Sequence, residues 1–168
     1  MTRGDRKIFV CTGAALLLLS FASAVKVSPK LVWNATQSAP IGLYRIEPRT
    51  PKLGDYVLVS PSKTLAEFIE ERQYLPPDTP LIKRVAAITG DEICREYEAI
   101  FINKTHVADA LLFDSRDREM PQWSGCFTLK INEIFLLNAH EKSLDGRYFG
   151  ATKRNEIIGV AIPGFVKE

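Results

Sequence analysis

The serine in the stretch QSAPIGLYRI, residues 37–46, has a setting that indicates chemistry. Ser38 stands two residues before Pro40 and four before Gly42, so its hydroxyl belongs to a turn that the proline restricts and the glycine permits. A serine hydroxyl is a weak nucleophile until a neighbouring base takes its proton. The sequence therefore predicts a base that lies close to Ser38 in the fold.

Two histidines and one lysine are the candidates for that base. His106 lies in the polar stretch NKTHVADA, which is typical of an exposed hairpin, and His140 has no evident carboxylate to orient its ring. Lys83 lies in PLIKRVAAI, an apolar run that predicts a largely buried strand. Alternation along that strand places Lys83 and Arg84 on opposite faces, and burial lowers the pKa of a lysine amine. We interpret Lys83 as the base, and the alternatives are a histidine base or a plain edge-strand charge.

Three segments in order resemble the signal peptidase superfamily of Ser-Lys proteases. NATQSAPIGLY (34–44) is similar to its nucleophile box, KRV (83–85) followed by Gly90-Asp91 to its lysine box, and SLDGRYFG (143–150) to its S-x-D-S-R-Y-F-G box. The N-x-x-x-S-x-P-x-G-L-Y form and the short chain resemble the TraF type, plasmid-encoded peptidases that mature the conjugative pilus subunit. The chain departs from the family at Gly146, where serine is usual, and from housekeeping signal peptidases, which have S-M-x-P, at Ala39.

The resemblance implies a role for each polar residue of these boxes. Ser38 is the nucleophile and Lys83 the general base, and Ser143 orients the lysine amine. Asp145 matters for activity in the TraF type, and Arg147 is its expected ion-pair partner. The structural alternatives are a loop-capping serine and an ion pair that only holds the loop.

The oxyanion of the reaction needs two hydrogen-bond donors. One is expected to be the backbone N–H of Ser38. Thr36, two residues earlier, is our candidate for the other, because related peptidases can use a hydroxyl from this position; the alternative is a surface threonine. No cofactor is expected, and no metal, since the cysteines have no third or fourth ligand nearby at zinc-binding spacing.

An uncharged segment precedes these boxes. Residues 8–25 follow the basic stretch RGDRK, and as a helix they span roughly 27 Å, close to the bilayer core of about 30 Å. The basic flank predicts a cytoplasmic N-terminus, so residues from 26 onward face the periplasmic side of the bacterial inner membrane. The chain is thus divided into a signal or transmembrane segment, 1–25, and a peptidase domain, 26–168. Ala22-Ser23-Ala24 has the small-x-small form of a cleavage site, so the segment is either removed or kept as an anchor.

The predicted export of residues 26–168 also determines which cysteines are expected to form a disulfide. Cys11 lies in the apolar segment, and Cys94 and Cys126 lie in the exported body. An oxidising compartment favours a disulfide between the last two. Two buried free thiols are the alternative.

The pattern of residues 26–168 predicts a mainly β domain. Short β-rich runs are separated by Gly and Pro: GLYRI, YVLVS, LIKRVAAI, AIFIN, EIFLLN and IIGVAI. One short helix is predicted in TLAEFIEERQYL (64–75), with Thr64 and Glu67 as a capping-box pair and its end at Pro76-Pro77. Three of the 22 basic and one of the 20 acidic side chains fall in the first seven residues, so the rest is neutral. That balance argues against nucleic acid as a partner.

These features predict a membrane-associated serine endopeptidase that processes a pilin precursor and acts as a monomer. Either water or an amine can release the acyl group from the enzyme. The sequence therefore leaves both hydrolysis and head-to-tail cyclisation of the pilin as outcomes. One alternative is a general or accessory type I signal peptidase. The other is a non-catalytic, membrane-tethered domain that binds envelope components.

Overall fold

Short β-strands form the framework of the part of the chain that the computed structural model describes, which is Thr12 and residues 29–167. The strands are β1 (Leu31–Asn34), β2 (Ile41–Glu47), β3 (Tyr56–Val59), β4 (Leu81–Ala87), β5 (Glu92–Glu96), β6 (Ala99–Ile102), β7 (Thr105–Asp109), β8 (Gly125–Thr128), β9 (Glu133–Leu136), β10 (Thr152–Lys153) and β11 (Ile157–Lys167). The helices are α1 (Lys63–Glu71) and α2 (Gly146–Phe149), and a 3₁₀ turn covers Arg154–Glu156. The predicted mainly β class is confirmed.

The larger sheet has seven strands in the order β1-β2-β11-β3-β4-β9-β10. All of its pairings are antiparallel. The alternation seen in the sequence explains its core face, because Tyr44 and Ile46 of β2 are buried while Arg45 between them is exposed. Strand β4 lies in the interior of the sheet between β3 and β9, which places its third residue, Lys83, away from either edge of the sheet.

The smaller sheet has four strands in the order β7-β6-β5-β8. Ile93 and Ile100 from this sheet join Ala87 and Phe135 from the larger sheet in one buried cluster. Cys94 of β5 and Cys126 of β8 are directly opposite each other and form a disulfide, as predicted. A covalent bond thus joins two neighbouring strands of the smaller sheet, and this sheet packs on the larger one through the shared buried cluster.

The single predicted helix is present, but the prediction of its ends was wrong. Ser62, not Thr64, is the N-cap, and its Oγ accepts from the backbone N–H of Leu65 at 3.4 Å. The helix ends at Glu71 and not at Pro76-Pro77, because Arg72 closes it with hydrogen bonds to Phe68 and Glu70. Ser62 and Thr64 both carry hydroxyls, so the sequence signal of a cap was right in kind and two residues off in position.

The predicted membrane segment lies outside the described residues, apart from Thr12. Within the described part of the chain, no helix has the length and apolar character needed to cross a bilayer.

Candidate active site

The turn between β1 and β2 holds Ser38 half-buried at the surface. The side chain of Asn34 organises this turn, because its Nδ2 donates to the carbonyl oxygens of Thr36, Ala39 and Pro40 at 2.9, 3.0 and 3.1 Å. The Tyr44 hydroxyl adds a bond of 2.7 Å to the Pro40 carbonyl. The sequence offered Asn34 only as part of a motif, and its function as the centre of the turn is visible only in three dimensions.

Gly42 lets this turn approach the neighbouring strand. Its φ is +148°, and a Cβ built on it would lie 2.0 Å from the carbonyl oxygen of Phe165 in β11. A side chain therefore cannot fit here, and the glycine fixes how closely the start of β2 lies against β11.

The Thr36 hydroxyl lies beside the nucleophile. Its Oγ1 donates to Asn34 Oδ1 at 3.0 Å and is 3.2 Å from Ser38 Oγ. Because its one proton is directed to Asn34, Thr36 accepts the proton of Ser38 in this arrangement. Its role as second oxyanion donor stays a prediction, and it requires the hydroxyl to rotate away from Asn34.

Lys83 projects from the middle of β4 into the interior, and its side chain is only 4% exposed. Its Nζ donates to Ser143 Oγ at 2.9 Å, and Arg84 next to it is exposed on the other face, as predicted. Burial lowers the pKa of Lys83 from 10.5 to about 8; the carboxylate of Asp145 opposes this shift and the guanidinium of Arg147 adds to it. A buried lysine with that pKa can exchange a proton close to neutral pH.

Asp145 and Arg147 form the predicted ion pair, with Asp145 Oδ1 and Arg147 Nε 3.1 Å apart and both side chains buried. Arg147 also donates to the carbonyl oxygens of Glu141 (2.8 Å), His140 (3.1 Å) and Asn138. Burial raises the pKa of Asp145, while Arg147 and Lys83 act against that rise. The pair therefore ties a whole loop into the site.

The departure from the family at Gly146 has a local cause. A Cβ at this position would lie 2.6 Å from Phe135 Cε2 and 2.8 Å from the Leu136 carbonyl oxygen. Helix α2 thus packs directly on β9, and a serine at 146 does not fit without a shift of the Phe135 ring or of the backbone of β9.

Asn138 is a second residue that the sequence reasoning missed. Its Oδ1 accepts from the Arg84 N–H at 2.8 Å and its Nδ2 donates to the Ile82 carbonyl at 3.1 Å, so it binds the backbone on both sides of Lys83. The available signal was a polar residue that ends the apolar run EIFLLN.

Ser38 and Lys83 line one cleft of about 590 Å³. Thr36 and Leu144 lie along it too, whereas neither histidine does. The His106 ring bonds to Asp109 at 2.8 Å in an exposed hairpin, and His140 Nδ1 accepts from the Lys142 N–H at 3.1 Å. The cleft therefore brings together the serine and the lysine that the sequence singled out.

Asp114 ties together the two loops that form the far wall of this cleft. It accepts from Tyr74 Oη at 2.6 Å and from Arg118 Nε at 2.8 Å, and Arg72 Nη1 is 3.6 Å away. Bonds from Arg118 and Tyr74 hold the pKa of this carboxyl well below its usual range, against the effect of its burial. Asp114 is thus an anion at neutral pH.

The chain belongs to the signal peptidase family, peptidase S26, which it matches over residues 6–165. That family assigns it the class of a serine peptidase. Among its relatives is a plasmid transfer protein TraF from Escherichia coli, 31% identical over 92% of this chain and 93% of the relative. A conjugal transfer protein TraF from Agrobacterium tumefaciens is 30% identical over 97% of both chains. A solved signal peptidase I from Enterococcus faecalis is 17% identical, covering 68% of this chain and 98% of its own, with a TM-score of 0.40.

Proposed function

We propose that this chain is a membrane-associated serine endopeptidase that uses a Ser38–Lys83 dyad to mature a conjugative pilin precursor. The observation that carries the proposal is a buried lysine amine, 2.9 Å from Ser143 Oγ, on the cleft that Ser38 also lines. A stabilising ion pair does not account for it, because Lys83 Nζ has no carboxylate within bonding distance among residues 29–167.

The first half of the reaction is acylation. Neutral Lys83 takes the proton of Ser38 as Ser38 Oγ attacks the scissile carbonyl, and the protonated lysine then gives that proton to the leaving amine. In the present arrangement Lys83 bonds to Ser143, and such catalytic hydrogen bonds often tighten on the nucleophile only when substrate is bound. Ser143 orients the amine by accepting one of its protons.

The second half resolves the ester on Ser38. Lys83, neutral again, takes a proton from water or from an incoming amine, which attacks the acyl carbon and frees Ser38. Water gives a trimmed linear pilin, and the pilin's own N-terminal amine gives a head-to-tail cyclic product. We propose the second outcome for the pilin, since an amine held in a cleft beside the ester has a much higher effective concentration than one free in solution.

The substrate assignment is supported by the relatives, which are named as plasmid and conjugal transfer proteins. A place at the periplasmic face of the membrane is supported by a row of apolar side chains beside the nucleophile turn. Trp33, Leu43 and Phe165 are opposite one another across β1, β2 and β11, and Trp33 and Phe165 are 65% and 84% exposed. Exposed aromatic residues of this kind are common where a protein meets a bilayer.

Intact-mass analysis of a conjugative pilin tests the proposal, with the pilin co-expressed with wild type or with Ser38→Ala. The expected result is a mature pilin one water lighter than its linear sequence, formed by wild type and absent with Ser38→Ala because no acyl-enzyme forms. Thr128→Ala, a hydroxyl change in the smaller sheet, is the matched control and should process normally.

Each other outcome would count against a stated part of the proposal. A linear trimmed product would replace cyclisation with hydrolysis and favour a general signal peptidase. A pilin left unprocessed by wild type would contradict the pilin assignment. Equal processing by wild type and Ser38→Ala would remove Ser38 as the nucleophile.

A further inference from the structure

Asn138 is hydrogen-bonded both to strand β4, which carries Lys83, and to the loop that carries Ser143 and Asp145. It takes no part in the proton transfers of the proposed reaction. It is 3% exposed, and its side chain occupies the side of β4 that faces β9. The two β4 groups that it binds, the Ile82 carbonyl and the Arg84 N–H, belong to the residues directly before and after Lys83. The side-chain amide of Asn138 therefore holds the backbone of β4 on both sides of Lys83.

The strand pairing explains why a side chain is needed there. Strand β9 ends at Leu136, and the Leu137 N–H makes the last backbone bond to β4, to the Arg84 carbonyl at 3.0 Å. Beyond that bond the chain turns away toward residues 139–145. The Asn138 amide, which has one donor and one acceptor face like a peptide group, takes the place of the next β9 peptide opposite Lys83.

The main chain of the same residue binds the other half of the site. The Asn138 N–H donates to Asp145 Oδ2 at 3.0 Å, and its carbonyl oxygen accepts from Arg147 Nη2. Ser143 lies two residues before Asp145 in the loop that these bonds fix. One residue thus holds the strand of the amine and the loop of its hydrogen-bond acceptor.

We propose that Asn138 is a positioning residue that sets the separation of Lys83 Nζ and Ser143 Oγ and keeps water away from the amine. This inference rests on the proposed function in one respect, that Lys83 is the base. Asn138 acts through the backbone of β4 and touches neither Ser38 nor the substrate cleft.

Two substitutions at Asn138 differ in how many of its hydrogen bonds to β4 they remove. Asn138→Ala leaves a buried N–H and a buried carbonyl on β4 without partners, so water must enter beside Lys83 to satisfy them. Asn138→Asp keeps the acceptor for Arg84 and loses the donor to Ile82, and it adds a carboxylate near the lysine. Asp145 and Arg147, the two charged groups that already act on Lys83, are unchanged in both variants.

The test is a titration of Lys83 in the full chain, in detergent micelles, by NMR of lysine labelled with ¹³C at Cε. Loss of one signal in Lys83→Arg assigns the resonance. In Asn138→Ala the Lys83 pKa is expected to rise from about 8 toward 10.5, because water stabilises the charged amine. Asn138→Asp is expected to raise it as well, since a nearby carboxylate favours the ammonium form.

Asn103→Ala and Asn103→Asp are the matched controls. Asn103 also binds a backbone N–H through Oδ1, that of Glu92 at 2.9 Å, but it does so in the smaller sheet. A Lys83 pKa that stays at its wild-type value in both Asn138 variants would overturn the inference. So would an equal shift in the Asn103 variants, because the effect would then not be local. Should Asn138→Ala not fold, Asn138→Ser takes its place, since its hydroxyl can keep one of the two bonds to β4 and adds no charge near Lys83.

The titration needs no turnover, so it separates this inference from the proposed function. A wild type that cleaves no pilin contradicts the proposed function while the pKa comparison still decides the role of Asn138. Where cleavage is seen, kcat/KM of Asn138→Ala should fall by about 10–100-fold with most of the loss in kcat, the size expected when a reacting group is misplaced by about 1 Å.

Discussion

At the scale of single residues, the site depends on a lysine kept in conditions that disfavour its charge. Lys83 is enclosed by the apolar strands β3 and β9 and receives a neutral hydroxyl partner instead of a carboxylate. Keeping the amine this way costs folding free energy at neutral pH, since the unfolded chain holds the same lysine charged in water. The proposed role of Lys83 as the base and the stability of the fold are therefore opposed at this one position.

This opposition has a measurable pH dependence. Between pH 8 and 10.5 the unfolded state binds more protons at Lys83 than the folded state, so wild-type stability rises with pH through that window. Replacing the lysine by Met removes the cost, so Lys83→Met is expected to be more stable than wild type at pH 7 by up to ~3 kcal/mol. The gain should shrink as the pH approaches 10.5. Urea unfolding at pH 7 and pH 10 measures both values.

Lys130→Met is the control for this prediction, since Lys130 is exposed and its charge is solvated in both states. It should change stability little at either pH. If Lys83→Met were no more stable than wild type at pH 7, or gained equally at pH 10, the explanation by a buried amine of lowered pKa would be wrong.

At the scale of elements, the sequence predicted what depends on local pattern. Alternation and Gly or Pro breaks predicted the six strand-like runs, and a hydroxyl before an amphipathic stretch predicted α1 although it did not fix which hydroxyl caps it. The functions of Asn34 and Asp114 could not be predicted from the sequence, for two different reasons. Asn34 acts on three carbonyls whose directions follow only from the folded turn, and Asp114 meets Tyr74, 40 residues earlier. Such partners come together through the topology of the sheets, which a single sequence does not encode as a pattern.

A prediction at the scale of elements concerns Asp114, which joins the two loops of the cleft wall. Asp114→Asn keeps the size of the side chain but removes the charge that holds Arg118, and it weakens the bond with Tyr74. The loops 72–80 and 110–120 should then separate more easily, so KM is expected to rise several-fold. The value of kcat should stay near that of the wild type, because the proposed base, Lys83, is unchanged. Steady-state cleavage of a pilin-derived peptide gives both constants.

Asp55→Asn is the matched control, because Asp55 is likewise paired with an arginine, Arg49 at 2.7 Å, but does not line the cleft. Its KM should be unchanged. A fall confined to kcat in Asp114→Asn would show that Asp114 acts on the reacting groups instead of on the wall.

At the scale of the whole molecule, the smaller sheet supports the site from outside. Arg95 of β5, next to the disulfide, is buried and donates to the carbonyl oxygen of Arg147 at 2.8 Å. Burial lowers the pKa of its guanidinium, and its Nη2 has no hydrogen-bond partner within the described residues. The disulfide therefore cross-links two strands of a sheet that contacts, through Arg95, the segment that follows Asp145.

Removal of the disulfide is expected to lower stability and leave the chemistry intact. The bond joins residues 32 positions apart, and a closed loop of that size contributes about 3–4 kcal/mol through the unfolded chain. A Cys94→Ser/Cys126→Ser double variant should lose that amount in urea unfolding at pH 7. Cleavage at 25 °C should persist, because Lys83 and Ser143 are held within the larger sheet and its loop.

Cys11→Ser serves as the control for cysteine replacement and should leave stability unchanged. Treatment of wild type with a reducing agent should reproduce the double variant. Loss of cleavage in a double variant that remains folded would mean that the smaller sheet sets the geometry of the site and does not merely support it.

Strand β1 is one of the two outer strands of the larger sheet, and this position bears on how a substrate is recognised. The N–H and C=O groups on its free side have no strand partner among residues 29–167, and Val32, Trp33 and Asn34 of this strand line the cleft. An extended polypeptide can satisfy those groups with its main chain, whatever its side chains are. Recognition of this kind binds any extended segment through its main chain, so selectivity for one scissile bond must come from which side chains the adjoining cleft can accommodate.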